Sequence, residues 1–313
     1  MIYDNRLLKE INSTLGERRK KAEKTAEYYL SILTSDKDYV FFSNEFSSAK
    51  FDRSKARFTG DKSAEKTASE NMKSALDKMK EIQAKHNVSD EMLSPAYSCS
   101  LCGDTGRTPD GERCLCFKKL AAEITLEELG IEKKPLPEFS SSNKIKQNRL
   151  DEIYPKLEKY CEHFAKGSKN LVISGSVGTG KSQLAGCVAN ELRKKNFNVV
   201  FLSACELDTV FLKYHTAPVD DKSFYISLLS GCDLLVIDDL GTEPVYKNVT
   251  LEYLLTVISE RCSKNMPFIV TTNLDQAQLL DRYGDRILSR LNDKQRGVFI
   301  KIEGNDLRRN KTL

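Results

Sequence analysis

No run of about 18 apolar residues occurs in this 313-residue chain, so nothing in it reads as a helix able to span a bilayer. The opening residues, Met1-Ile2-Tyr3-Asp4-Asn5-Arg6, lack the apolar run of a secretory signal. Together these absences predict a cytoplasmic protein with no membrane partner. Charge of one sign is missing too. The 49 Lys and Arg are offset by 45 Asp and Glu, leaving +4 and a pI of about 8.4. That balance permits contact with nucleic acid without demanding it. In a reducing cytoplasm, closely spaced members of the nine cysteines more often hold metal than form disulfides. With 40% apolar residues, the chain is long enough for two domains that each bury a core.

The most informative stretch is Leu171 to Ser182, L-V-I-S-G-S-V-G-T-G-K-S. Leu171 to Ser174 reads as a short buried strand, followed by a glycine-rich turn and a helix over Gln183 to Lys195. The turn matches G-x-x-x-x-G-K-[ST]. Its candidate phosphate-binding residues are Gly175, Ser176, Val177, Gly178, Thr179, Gly180, Lys181 and Ser182. The three glycines let backbone N–H groups turn inward where a side chain would block a phosphate. The helix that follows offers unpaired N–H groups and the positive end of its dipole. Lys181 would reach the β- and γ-phosphates and the Ser182 hydroxyl would bind Mg²⁺. An ordinary glycine turn is the plain alternative; the strand–loop–helix context favours a nucleoside triphosphate.

Further strands are predicted at Asn198 to Ser203, Cys232 to Asp239, Pro267 to Thr272 and Gly297 to Ile302. In the second of these, four aliphatics, Leu234 to Ile237, precede Asp238 and Asp239, the Walker B arrangement. At a strand end beside the phosphates, Asp238 would hold Mg²⁺, directly or through water. Asp239 would orient or deprotonate the attacking water. The alternative is a solvated acidic turn. Asn273, just past the next strand, is placed to contact the γ-phosphate or its water, although alone it reads as a turn former. Strands alternating with helices predict a parallel α/β sheet with its ligand at the carboxyl ends. Arg286 and Arg290, four apart, share a helix face. An arginine supplied by a neighbouring subunit can neutralise charge on the γ-phosphate; a solvated basic face has the same spacing.

Before this region the chain changes character. Residues 5 to 33 read as an amphipathic helix with Leu7, Ile11, Leu15, Ala22, Ala26, Tyr29, Leu30 and Leu33 on one stripe. Residues 38 to 60, rich in phenylalanine, read either as short helices or as an adaptable segment. Ala64 to Lys85 reads as a helix with a narrow stripe of Met72, Leu76, Met79 and Ile82, suited to a helical hairpin or a partner surface. A self-contained helical domain is the alternative. Cys99, Cys102, Cys114 and Cys116 follow, separated by turn-forming residues that let the two pairs meet. Four thiolates suit a closed structural Zn²⁺ site, against reduced structural thiols or a redox pair. The second pair, C-x-C, is tighter than the usual C-x-x-C. His86 is a possible substitute ligand or a lone helix histidine. Cys161, Cys187, Cys205, Cys232 and Cys262 stand singly and read as core. The predicted organisation is a helical partner-binding region at 1–94, a zinc module at 95–130, a linker at 131–149 and an ATPase domain at 150–313.

From Leu150 onward the chain resembles the AAA+ ATPases of the DnaC/DnaI helicase-loader group, which also includes the IstB-type transposition helpers. The resemblance is carried by G-S-V-G-T-G-K-S, L-L-V-I-D-D-L-G-T-E-P, T-T-N-L and Y-G-D-R-I-L-S-R-L. The loop G-T-E-P, Gly241 to Pro244, is more specific than the P-loop. The segment C-x-x-C-x-D-T-G resembles loaders of the DnaI kind and is not expected in the IstB type. The resemblance implies an AAA+ core with the P-loop strand central, and a slow, DNA-stimulated ATP hydrolase. It also implies ATP-dependent self-association and single-stranded DNA binding. The implied partner is a hexameric replicative helicase, held by the N-terminal part and loaded during replication initiation. It places Asn273 at sensor 1, Arg290 as arginine finger with Arg286 close behind, and Arg308 at sensor 2 beside Arg309. Lys213, Tyr214 and His215 have the charge and rings for single-stranded DNA, or form an ordinary surface helix. The runner-up is an IstB-like transposition helper acting on duplex DNA with a transposase. A third reading is a zinc-containing adaptor whose ATPase is a slow switch.

Overall fold

The computed structural model describes residues 3–142 and 147–307, and divides into two compact units. One comprises Met1–Ile11 with Arg113–Leu313, the other Asn12–Glu112. The first helix, α1 (Asn5–Thr34), contributes residues to both. No helix among the described residues is long and apolar enough to cross a membrane.

The larger unit is built on a parallel sheet of β1 (Asn170–Gly175), β2 (Val199–Ser203), β3 (Leu234–Leu240), β4 (Phe268–Thr272) and β5 (Gly297–Ile302), in the order β2-β3-β4-β1-β5. Each expected strand is present with its ends moved by two residues at most, and β5 has the limits read from the sequence. Near-continuous aliphatic runs form these strands because helices cover a parallel sheet on both faces. In register, Val172 lies opposite both Val270 and Phe299. β1 is an interior strand, but the middle position belongs to β4. Between the strands run α7 (Lys181–Lys194), α8 (Ala204–Thr216), α9 (Val219–Gly231), α10 (Thr250–Lys264) and α11 (Gln276–Leu291). Ahead of them come α4 (Leu115–Leu129), the short α5 (Phe139–Ser142) and α6 (Leu150–Glu162). The core gathers Tyr154, Leu157 and Cys161 of α6 with Leu184, Val188 and Leu192 of α7 over β1 and β3. Arg261 of α10 is fully buried and donates to the carbonyls of Leu229 and Cys232, stapling the turn before β3. Of the five single cysteines, Cys161, Cys187 and Cys232 are buried, whereas Cys262 is half-buried and Cys205 exposed. Cys205 sits in the first turn of α8, on the side away from its buried residues.

The smaller unit holds a hairpin of α2 (Lys37–Thr59) and α3 (Lys62–Lys85). The phenylalanine-rich segment is thus one continuous helix. Asp36 caps its start by accepting from the Asp38 and Tyr39 amides at 3.0 and 3.3 Å, and Gly60 ends it at φ 73°. Asp61 then caps α3 through the Ala64 amide. The side chains turned away from water follow a heptad: Tyr39, Phe42, Phe46, Ala49, Arg53 and Ala56 on α2, and Glu65, Ala68, Met72, Ala75, Met79 and Ile82 on α3. The stripe read on α3 therefore needs correction. Ala68 and Ala75 belong to it, and Leu76, 38% exposed, does not. At the base, His86 Nε2 lies 2.8 Å from Asp36 Oδ2, beside a small cluster of Leu33, Tyr39 and Val88. His86 is the C-cap of α3 and has no place among the thiols.

Candidate functional site

The P-loop runs from the end of β1 into α7. Lys181 itself opens that helix, two residues earlier than the sequence reading. Gly180 precedes it at φ 103°, a backbone that L-residues rarely adopt, with Leu150 3.0 Å from where a Cβ would stand. The Ser176 carbonyl accepts from Thr179 Oγ1 at 2.9 Å and from Lys181 Nζ at 2.7 Å, which closes the loop on itself. Val177 is exposed at its tip and Thr179 is buried beneath. The result is a glycine-lined turn, a lysine and the amino end of a 14-residue helix in one place, an arrangement chemically suited to an anion.

Opposite, β3 delivers Asp238 and Asp239. Asp238 Oδ1 accepts from Thr271 Oγ1 at 2.6 Å, and the same hydroxyl accepts the Asp239 amide at 2.8 Å. Burial pushes the Asp238 carboxyl up from its ordinary pKa, against the opposing pull of the Thr271 and Ser182 hydroxyls and of Lys181. Ser182 and Asp238, read as the two Mg²⁺ ligands, are thus hydrogen-bonding neighbours. Asp239 sits at φ 56°, unusual outside glycine, and Thr242 holds that turn by donating its amide and hydroxyl to the Asp239 carbonyl. At the tip of β4, the buried Asn273 Oδ1 has no hydrogen-bond partner among the described residues. An orphaned acceptor beside two acids and a phosphate-type loop fits a site completed by a bound group.

Arg286 and Arg290 lie on the second half of α11, past a break at Gly284 (φ 74°, ψ 168°). Arg290 Nη1 donates to the Arg286 carbonyl at 2.7 Å. Arg308 and Arg309 lie outside the described residues. Lys213, Tyr214 and His215 are less available for stacking than their chemistry suggests. Lys213 Nζ reaches the Leu129 carbonyl, the Tyr214 ring packs edge-on against Tyr253 at 4.5 Å, and His215 Nδ1 is 2.7 Å from the Tyr253 hydroxyl.

The four cysteines of the 99–116 segment come together, with their Sγ atoms all within 4.8 Å of one another. Gly103, at φ 56°, turns the knuckle and donates its amide to the Cys99 carbonyl. Buried Asp104 accepts the Ser98 and Cys99 amides at 2.8 and 2.9 Å. The tight second pair is accommodated by the start of α4, with Cys114 at its N-cap position and Cys116 in its first turn. A tetrahedral thiolate site with metal–sulfur bonds of about 2.3 Å places its sulfurs roughly 3.8 Å apart, which this cluster fits.

Several residues that build the site carried no assignment from sequence. Thr271 bridges both acids although it stands in the quoted T-T-N. Asn148, at φ 58°, donates to the Asn305 carbonyl at 2.8 Å and to the Thr179 carbonyl at 3.3 Å, joining the segment before α6 and the C-terminal segment to the P-loop. Its partners are 157 and 31 positions away, beyond any local pattern.

The strand–loop–helix, the paired acids and the parallel sheet define a P-loop nucleotide-binding fold. The chain belongs to the family of IstB-like ATP binding proteins, which it matches over residues 138–312. It is 27% identical over 138 residues to the replicative helicase loader DnaC of Escherichia coli K12, covering 44% of this chain and 55% of that protein. With DnaC of Buchnera aphidicola subsp. Schizaphis graminum it shares 24% identity over 152 residues, 47% of this chain and 60% of the other. The chain therefore spans little more than half the length of these relatives. Among solved structures, a crystal structure of DnaI aligns with a TM-score of 0.44 at 24% identity, covering 54% of this chain and 89% of that one.

Proposed function

We propose that this protein is an ATP-dependent loader of a hexameric replicative DNA helicase onto single-stranded DNA. The observation that carries the reading is the meeting of Lys181, Ser182 and Asp238 at the carboxyl edge of the sheet, in a chain whose matched relatives include DnaC loaders. In this reading the 150–313 domain binds ATP, with Ser182 and Asp238 as the residues that hold Mg²⁺. The ion would neutralise phosphate charge. Asp239 orients the attacking water, Asn273 fixes the γ-phosphate or that water, and Arg290, with Arg286, reaches the nucleotide of a neighbouring subunit. Cys99, Cys102, Cys114 and Cys116 hold a structural Zn²⁺ within the 95–130 module. Residues 1–94 grip the helicase, and 131–149 link the two functions. Hydrolysis, slow and DNA-stimulated, permits release in the cytoplasm.

The family match itself favours a second reading, a transposition helper that works with a transposase on duplex DNA. Native mass spectrometry of the full chain with the host helicase, with and without ATP, separates the two. A defined complex supports the loader, and the mass of the free chain reports bound zinc. No complex in either condition, with DNA-stimulated ATPase retained, selects the transposition helper.

A further inference from the structure

Two residues of the family-like motifs have no part in the nucleotide chemistry above: Glu243 of the G-T-E-P loop and Tyr283 of Y-G-D-R-I-L-S-R-L. The fold brings them together across 40 positions. Glu243 is only 4% exposed, and its two carboxylate oxygens serve different elements. Oε2 accepts the Gly241 amide at 2.8 Å, and Oε1 accepts the Tyr283 hydroxyl. Arg282 adds a second tie, donating Nη2 to the Glu243 carbonyl and lying 3.7 Å from Oε1. Burial first, then the neighbouring carboxylate, pushes the Tyr283 hydroxyl far up, so it remains a donor at any working pH.

Each end of this bond meets a part of the proposed reaction machinery. Gly241 is two residues after Asp239, in the turn that Thr242 closes onto the Asp239 carbonyl. A Cβ on Gly241 would stand 2.8 Å from Leu274, next to Asn273. At the other end, Tyr283 is the last residue before the break at Gly284. Beyond it, Ile287 and Leu291 are buried while Arg286 is exposed and Arg290 half-buried. The direction in which that half-helix presents its arginines depends on what fixes the residue just ahead of the break.

We propose that the Glu243–Tyr283 hydrogen bond is a positioning contact that couples the Asp239 turn of a subunit to the arginine-bearing half of its own α11. The nucleotide state of one site thereby sets how Arg286 and Arg290 meet the next subunit's nucleotide. The proposal rests on the reading of those arginines as acting between subunits. A plain core staple would use the same atoms, but it has no reason to spend a buried carboxylate where an apolar pair would pack as well.

The test uses full-length chains in mixed assemblies. Recipients carry Arg286→Ala and Arg290→Ala and so keep an intact site without fingers. Donors carry Asp239→Asn, bind ATP and assemble, but supply fingers only. If D239N donors restore the recipients' ATPase, fingers act between subunits. The proposal then expects D239N/Y283F donors to restore it about tenfold less well, through kcat with KM for ATP unchanged. Phe keeps the ring in place, so the donor's ATP affinity should match that of D239N, while the lost buried hydrogen bond lowers its thermal midpoint by a few degrees. An E243Q donor, which keeps the volume, should show the same direction. Equal restoration by D239N and D239N/Y283F overturns the coupling and leaves the finger reading standing. A loss matched by a fall in the donor's ATP affinity or in its co-assembly reduces the bond to a staple and also overturns it. No restoration by D239N, with co-assembly shown by pull-down, overturns the finger reading and the proposal with it.

Discussion

The sheet unit and the helical hairpin bury their helices by opposite means. In the sheet unit, α7 sinks Leu184, Cys187, Val188 and Leu192 completely against strands that are themselves aliphatic on both faces. In the hairpin, the fully enclosed side chains between α2 and α3 are mainly alanines, Ala49, Ala56, Ala68 and Ala75, while Phe51 and Phe58 stand 70% and 93% exposed. Large side chains are wholly enclosed in the sheet unit, whereas in the hairpin Phe42, Phe46, Met72, Met79 and Ile82 line the seam only half-buried and Phe51 and Phe58 face water. Burial of apolar area, at about 25 cal/mol per Å², therefore favours the sheet strongly and the hairpin weakly. The hairpin depends instead on helix propensity, on its caps and on a seam narrow enough for alanine. Substitutions of a given kind should act with opposite weight in the two.

The largest expected effect belongs to the sheet unit's chemistry. In the proposed reading Lys181 reaches phosphate, and Lys181→Ala should weaken ATP binding by roughly 1,000-fold, about 4 kcal/mol, with far-ultraviolet circular dichroism unchanged. Unchanged nucleotide affinity in a titration would sink the site. Next comes packing. Leu184→Ala leaves a cavity under the P-loop helix and should cost about 3 kcal/mol in urea unfolding. The hairpin inverts this. Ala75→Leu, an enlargement, should destabilise it by about 2 kcal/mol. Leu76→Ala, a truncation one residue on, should change it by less than about 0.5 kcal/mol. Hydrogen exchange of α2 and α3 amides reads both locally. A larger cost for Leu76→Ala than for Ala75→Leu would restore the broader apolar stripe and break the comparison.

The same contrast explains what the sequence could disclose. Strands and the P-loop were legible because each is a contiguous run: four aliphatics before Asp238, glycines around Lys181. The meeting of the four thiols followed from two close pairs and the turn residues between them. The hairpin was legible only as helix. Alanine spells helix propensity and core with the same letter, so the sequence hides the seam of Ala68 and Ala75 and points by bulk to Leu76. On α2 the phenylalanines divide, Phe42 and Phe46 sharing the seam with Ala49 and Ala56 while Phe51 and Phe58 face water. What stayed hidden elsewhere was pairwise: Thr271 with Asp238, Glu243 with Tyr283, Asn148 with Asn305. Each depends on a register that the fold alone supplies.

The smallest effect concerns the cap at the base of the hairpin, where charge rather than volume is at work. His86 beside Asp36, followed by the Tyr39 and Asp38 amides, holds the Asp36 carboxyl below its ordinary value. A carboxyl with a lowered folded-state pKa stabilises the fold at pH values above the unfolded pKa. That contribution fades as pH falls through the folded value, because the unfolded chain takes up the proton first. Asp36→Asn keeps an acceptor for the amides, since Asn is as good an N-cap as Asp. It therefore removes the charge and little else. The difference in hairpin melting temperature between wild type and Asp36→Asn should be small but present at neutral pH. It should shrink as pH drops below the ordinary aspartate range, about 3.9. A difference that persists undiminished there would assign the effect to side-chain shape, and the hairpin would then resemble the sheet unit after all.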